Sequence, residues 1–262
     1  MLDPVVFDRR AVRLHRDRAA ASVPAVTDVL RDLAQRLLDR LDDTNRRFAH
    51  ALDVGGRGVV APLLRARGIE TVSCDLSAAM AARNGGLAVA ADEEWLPFGP
   101  GSFDLIAASV SLHWVNDLPG ALIQLRRALR PDGLLLASLP ALGTLAELRT
   151  AFTATEAELL GGASPRVSPF PDLRDLAGLL QRAGFVLPVA DVDEIVLSYA
   201  DPLAALQELR AAGEANAVAL RSRRTPPRAL FPAALATLPE QEGRWNLTLR
   251  LASMTGWAPG SR

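Results

Sequence analysis

The side chains of this sequence that could do chemistry gather around one short stretch, ALDVGGRGVV at 51–60. An apolar run reaches Asp53, then Gly55, Gly56 and Gly58 follow with Arg57 between the last two. Glycines at the end of a strand let backbone come close to a ligand. Asp75 stands 22 positions after Asp53 with Leu76 beside it, a spacing suited to a carboxylate that accepts hydrogen bonds from two ribose hydroxyls. Asp92 and Glu93 in ADEEWLPF are placed to meet an adenine edge, with Trp95 and Leu96 as apolar walls. Ser109 opens SVSLHWVND, which would line the far side, where a second substrate approaches.

Histidine as a residue type changes charge near neutral pH, which makes His113 a candidate for a general base. The competing reading makes it a loop histidine whose ring edge bonds backbone beside a packed Trp114. Tyr199, the single tyrosine, is either strand packing or part of a substrate pocket wall. His15 and Asp17 have the His-x-Asp spacing of part of a non-heme iron site, with His50 or His113 as a distant third ligand. No metal is assigned to the pair, because it falls in an Arg-rich helix with no matching partner nearby in sequence.

The elements that must position these residues follow from periodicity. VTDVLRDLAQRLLDRL at 26–41 puts Val26, Val29, Leu30, Leu33, Leu37 and Leu41 on one helical face. The period then changes. FAHALDVG reads as a buried strand, VVAPLLRARG as a helix ended by Gly68, and ETVSCDLS as a second strand; LAVAA, SFDLIAAS and LLLASLP continue the strands, with the helix DLPGALIQLRRALRPDG before the last. Repeated strand–helix units with apolar strands imply an α/β fold, a Rossmann-like doubly wound parallel sheet. Beyond Pro140, helices alternate with two long strand candidates, FVLPVADVDEIVLSYA and RWNLTLRLASMTGW. In such a sheet the ligand sits outside the carboxyl ends of the strands, at the switch point beside the first strand.

The order of LDVGGRG, CDLS, ADEEWLPF, SFDLIAASVSLHWVND and LRRALRPDGLLL resembles the class I S-adenosylmethionine-dependent methyltransferases. Within them, LHWVNDLPGAL, SPRVSPFPD, DVDEIVLSYADPL, GEANA and TGWAP resemble the bacterial relatives of mitochondrial complex I assembly factor 5, of the arginine hydroxylase type, with malonyl-carrier-protein methyltransferase a more distant cousin. The resemblance covers nearly the whole chain. It implies S-adenosyl-L-methionine as cofactor, with Asp53, Gly55 and Gly58 near its methionine part, Asp75 on the ribose and Asp92 on the adenine. It also implies a protein client in respiratory complex I, its arginine hydroxylated or its side chain methylated. A non-catalytic assembly factor and a small-molecule or carrier-protein methyltransferase are the alternatives. The family pattern Asp-x-Gly-x-Gly-x-Gly is altered here to Asp53-Val54-Gly55-Gly56-Arg57-Gly58. A one-residue deletion accounts for it and aims Arg57 into or across the cofactor cleft. The domain division expected is an N-terminal helical segment at 1–45 and a methyltransferase-like domain at 46–262, with helical cap insertions at 141–184 and 201–240.

Composition bounds the rest. The 262 residues carry a formal net charge of −1, so no overall attraction to nucleic acid is expected. The single cysteine, Cys74, excludes a disulfide framework and fits a reducing, cytoplasmic setting. No stretch reads as a membrane span. The start holds Arg9, Arg10, Arg13, Arg16 and Arg18, which either dock on an acidic protein or the inner face of the membrane, or form a solvated helix face paired with Asp8 and Asp17. The solvated face is the favoured reading, and nothing fixes the oligomeric state.

Overall fold

The protein was analysed as a computed structural model, which describes residues 5–260. Its strands are β1 (His50–Val54), β2 (Glu70–Asp75), β3 (Ala88–Ala90), β4 (Phe103–Ser109), β5 (Leu129–Pro140), β6 (Val186–Tyr199), β7 (Glu240–Gln241) and β8 (Arg244–Trp257). Its helices are α1 (Arg9–Ala19), α2 (Thr27–Leu38), α3 (Val60–Ala66), α4 (Ala78–Ala82), α5 (Leu118–Ala128), α6 (Ala146–Leu160), α7 (Leu173–Arg182), α8 (Pro202–Ala211) and α9 (Leu230–Ala236). All belong to one sheet order, β3-β2-β1-β4-β5-β8-β6, with β7 paired to β8.

β1 to β5 run parallel, and β8 is antiparallel to both β5 and β6. β1 lies between β2 and β4, so the switch point falls at its carboxyl end, where the glycines are. A strand buried on both faces needs a continuous apolar run; Phe103–Ser109 supplies one and every residue of it is buried. One face is covered by α2 and α3, whose Leu37, Leu38 and Leu64 pack with Leu105 and Leu136. The other is covered by α5 and α7, with Leu122, Leu125, Leu176 and Leu180 against Ile106 and Leu135. A separate cap core joins Leu148 and Phe152 of α6, Ala205 of α8 and Leu235 of α9 to Leu247 of β8. β8 therefore serves two cores, since its Ala252 and Met254 belong to the sheet.

Three expectations shift. The division by sequence puts 141–184 in the cap, but α7 buries Leu176 and Leu180 in the sheet core, because it follows directly into β6 and must cover that edge. Val29 is 38% exposed, and Val26, Leu33 and Leu37 carry the buried face instead. Trp95 is 79% exposed and walls nothing, because the turn closed by Trp95 N–H on the Asp92 carbonyl points it outward.

Candidate cofactor cleft and acceptor cavity

The glycine turn is braced from behind by Asp53. This carboxylate is fully buried and accepts a hydrogen bond from the Ala61 N–H at 3.1 Å in the first turn of α3, satisfying a donor that a helix start leaves open. A Cβ on Gly56 would run into it, so glycine is required at that position. Burial pushes the Asp53 carboxyl up to about 7. Its Oδ1 has no partner. Asp53 thus supports the turn as well as bordering the cleft.

Gly55 has φ +68°, and a Cβ there would lie 2.7 Å from Ser111 Cβ and 3.2 Å from Arg16 Nη1. The turn, Ser111 and Arg16 enclose one small space. Asp75, at the end of β2, accepts from the Ser77 N–H at 2.8 Å through Oδ1 and faces Arg16 Nη1 at 3.1 Å through Oδ2. Glu93 Oε1 is also 3.1 Å from that nitrogen. Asp92 pairs with Arg9 at 2.6 Å, and Arg9 reaches Glu93 as well. Leu76 packs beside Trp114 and Phe7. Ser109 is buried in the β4–β5 ladder opposite Ser138. Gly58 donates its N–H to Asn84 at 2.8 Å and lies outside the cluster around Asp75.

The basic start is the largest correction. Arg10, Arg13 and Arg18 are exposed, with Arg13 3.9 Å from Asp17 as the solvated-face reading expects, but Arg16 is 1% exposed, so the other side of α1 lays Arg9 and Arg16 into the cleft. Helical spacing predicts no such thing, because the carboxylates that draw these cations inward come from β2 and the loop after β3. Arg57 stays beside the cleft, where the charges of Arg16, Asp75 and Glu93 act on it. It takes the left-handed conformation at φ 52°, is 2% exposed and pairs with Glu214 after α8.

Glu214 is the functional residue that the sequence hid. Its Oε2 accepts from His113 Nε2 at 2.7 Å and from Trp114 Nε1 at 2.7 Å, while Oε1 takes Arg57. His113 and Arg57 together hold the carboxyl well below the usual range, so it stays ionised and acts only as an acceptor. Opposite an ionised Glu214, His113 Nε2 is the donor of this bond, and the other ring nitrogen, Nδ1, is buried without a partner. The signal in the sequence was GEANA, whose glutamate is Glu214; no local pattern assigns its partners.

Beyond this cluster opens a cavity of about 520 Å³. Leu33, Leu148, Phe152, Phe170 and Leu206 supply apolar wall, and Arg57, His113, Trp114 and Glu214 form its polar end. Tyr199 lines it too, donating its hydroxyl to Glu208 at 2.8 Å; burial and this carboxylate push the phenol up. Asp75 and Glu93 do not line the cavity, being sealed under Arg16. Two compartments thus share a wall made of Arg57, His113, Trp114 and Glu214.

Comparison with known proteins gives the family and the fold. A family model described as a methyltransferase domain matches residues 26–188. The chain belongs to the methyltransferase family. The arginine-hydroxylase NDUFAF5, mitochondrial, of Danio rerio is 36% identical to this methyltransferase-family chain over 97% of it and 83% of the relative. A malonyl-acyl-carrier-protein O-methyltransferase of Laribacter hongkongensis is 35% identical over 100% of the chain and 93% of the relative. Among solved structures, the Haemonchus contortus phosphoethanolamine N-methyltransferase 2 in complex with S-adenosyl-L-methionine superposes with a TM-score of 0.52 at 16% identity, covering 86% of this chain and 52% of that one. The class I methyltransferase fold is therefore shared across relatives of differing reaction, and the chain is a methyltransferase-like enzyme by its family model and relatives, while the fold alone does not fix the reaction.

The cleft suits a nucleoside cofactor with cationic character. Asp75, Asp92, Glu93 and Glu214 outnumber Arg9, Arg16 and Arg57 within it, and Asp53 Oδ1 and Ser111 Oγ are buried polar atoms with no partner. Asp75 stands at the end of β2 with both oxygens engaged, by the Ser77 N–H and Arg16, and Gly55 leaves the backbone of the turn open to close approach.

Proposed function

We propose that this protein is an S-adenosylmethionine-dependent enzyme that modifies a side chain of a protein client, a subunit of respiratory complex I, by methyl transfer or by arginine hydroxylation. The reading of the client rests on the NDUFAF5 relatives, which match along nearly the whole chain. Among the described residues no helix is long and apolar enough to cross a membrane, and we place the enzyme in the cytoplasm, meeting its client at the inner face of the membrane.

The single observation that carries an enzymatic reading is His113. Its Nε2 is fixed by an ionised Glu214 and its Nδ1 is a buried nitrogen without a partner, on the wall between the two compartments. A carboxylate that orients a histidine fixes its tautomer and stabilises its protonated form. The bound cofactor supplies an activated sulfonium methyl group. The protein aligns the acceptor in the cavity, excludes water with its apolar walls, and accepts the acceptor proton at His113 Nδ1. Arginine hydroxylation, the activity in the printed names of relatives at 36% and 37% identity, is the second reading; it inserts an oxygen atom and would require dioxygen together with a two-electron reductant as co-reactants.

A calorimetric titration with S-adenosylmethionine, followed by mass measurement of a client subunit, tests the reading. A gain of one methylene or one oxygen on the client, lost in His113→Ala, bears it out. No cofactor binding by the folded protein would instead favour a non-catalytic assembly factor.

A further inference from the structure

β6 ends one side of the sheet, and among the described residues no strand pairs with its outer edge. In an edge strand alternate residues turn N–H and C=O away from the paired side, which makes a template for another extended chain. Folded proteins blunt such edges, and β6 has bulge and proline only at its start. Leu187 has φ +50°, Pro188 lacks a donor, and the register against β8 shifts between Val186 and Val189. From Val189 to Tyr199 the register then runs without a break. Val189 and Val196 are 52% and 57% exposed along that run.

Charge and position say what the open run would take. Asp191, Asp193 and Glu194 lie at its middle. Arg40 pairs with Asp191, but Asp193 and Glu194 are exposed, with Arg250 no nearer to Glu194 than 4.0 Å. Two copies meeting edge to edge about this middle would set acid against acid, which is unfavourable, whereas a segment carrying arginine or lysine would be drawn in. Leu197 and Tyr199, two residues apart and so on one face of β6, line the acceptor cavity. Val29 of α2 and Leu203 of α8 also line it and are 38% and 44% exposed. The mouth of the cavity therefore opens between these helices, at the carboxyl end of the open run.

We propose, on the reading of a protein client above, that the outer edge of β6 from Val189 to Tyr199 is where the client docks, adding an extended basic segment as a further strand. Main-chain hydrogen bonds hold the segment in register, and the acidic run selects its charge. Side chains of a strand alternate between faces, so every second residue of the added strand stands on the face of Leu197 and Tyr199. The one beside Tyr199 is the side chain delivered to the cavity mouth. A long regular edge that would otherwise invite unwanted pairing thus has a use.

The test uses the full chain and two labelled, end-blocked decapeptides, one alternating arginine with valine and the other glutamate with valine. Fluorescence anisotropy should show the arginine peptide binding about tenfold or more tightly than the glutamate peptide, because like charges repel across an interface. The double variant Asp193→Lys, Glu194→Lys should reverse that order, and its melting curve checks that the fold is kept. Hydrogen exchange should slow at alternate amides of 189–199 when the arginine peptide is added. No binding, equal binding of the two peptides, or binding without protection of these amides overturns the docking site. Protection of the same amides on concentrating the chain alone gives the edge to a second copy and overturns it too. None of these outcomes touches the client reading, which stands or falls on the mass of the client subunit.

Discussion

The cofactor cleft and the acceptor cavity share one wall and are built on opposite principles. The cleft packs Arg9 and Arg16 against Asp75, Asp92 and Glu93 almost out of solvent; the cavity is apolar except where it meets that wall. Buried charges must be paired, so the cleft is filled by its own side chains. An apolar wall makes no such demand, and the cavity stays open. The difference teaches that a buried charge cluster closes on itself while an apolar lining leaves space, with Glu214 at the boundary of the two.

Several measurements would break or sharpen that contrast. The largest effect is expected at His113, where replacement by alanine should lower turnover by about 10²- to 10⁴-fold, the range for a general base, with cofactor affinity unchanged in a calorimetric titration. Comparable loss of affinity would put His113 in the cleft instead. Glu214→Ala leaves Arg57 buried without its counter-charge and should cost about 3–5 kcal/mol of stability in urea unfolding; the double variant with Arg57→Met should recover part of the loss. If the single variant unfolds like wild type, the joint between the compartments is not held by this carboxylate.

Asp75→Ala should weaken cofactor binding by about 1.5–3 kcal/mol through lost charged hydrogen bonds, and an unaltered titration would remove Asp75 from the ribose site. Asp53 gives a pH signature. Its carboxyl is held higher in the folded chain, up to about 7, so folding favours the protonated form. The stability it contributes is complete below the ordinary aspartate range and is lost as pH rises through about 7. The melting temperature of wild type should therefore fall between pH 6 and pH 8 more steeply than that of Asp53→Asn, and parallel curves would show that Asp53 is already ionised. The smallest effect belongs outside both compartments. Arg40 and Asp191 form a two-pronged pair at 2.8 and 2.6 Å, partly exposed, and Asp191→Ala should cost about 0–1 kcal/mol with no change in either titration.

Much of the fold was legible because its signals are local. The apolar run of β4 and the alternation of Leu247, Leu249 and Leu251 in β8 each follow from short-range physics. The short helices α4 and α9 carried too few turns to show a period. In the site, Gly55, Asp75 and His113 announced themselves by type and spacing, whereas Glu214 and Arg16 did not.

The sequence by itself determined the order of strands and helices, the glycine turn after β1, and the carboxylate at the end of β2, because each depends on neighbours within a few residues or on the strand–helix alternation; the bracing of that turn by Asp53 through Ala61 came only with the structure. Only the tertiary structure decided that Arg16 lies against Asp75 and Glu93, that Arg57 turns to Glu214, and that Glu214 fixes His113. Those pairings span 59, 77, 157 and 101 positions of chain. Charge attracts without regard to sequence distance, so which buried cation meets which carboxylate is settled when packing brings them together.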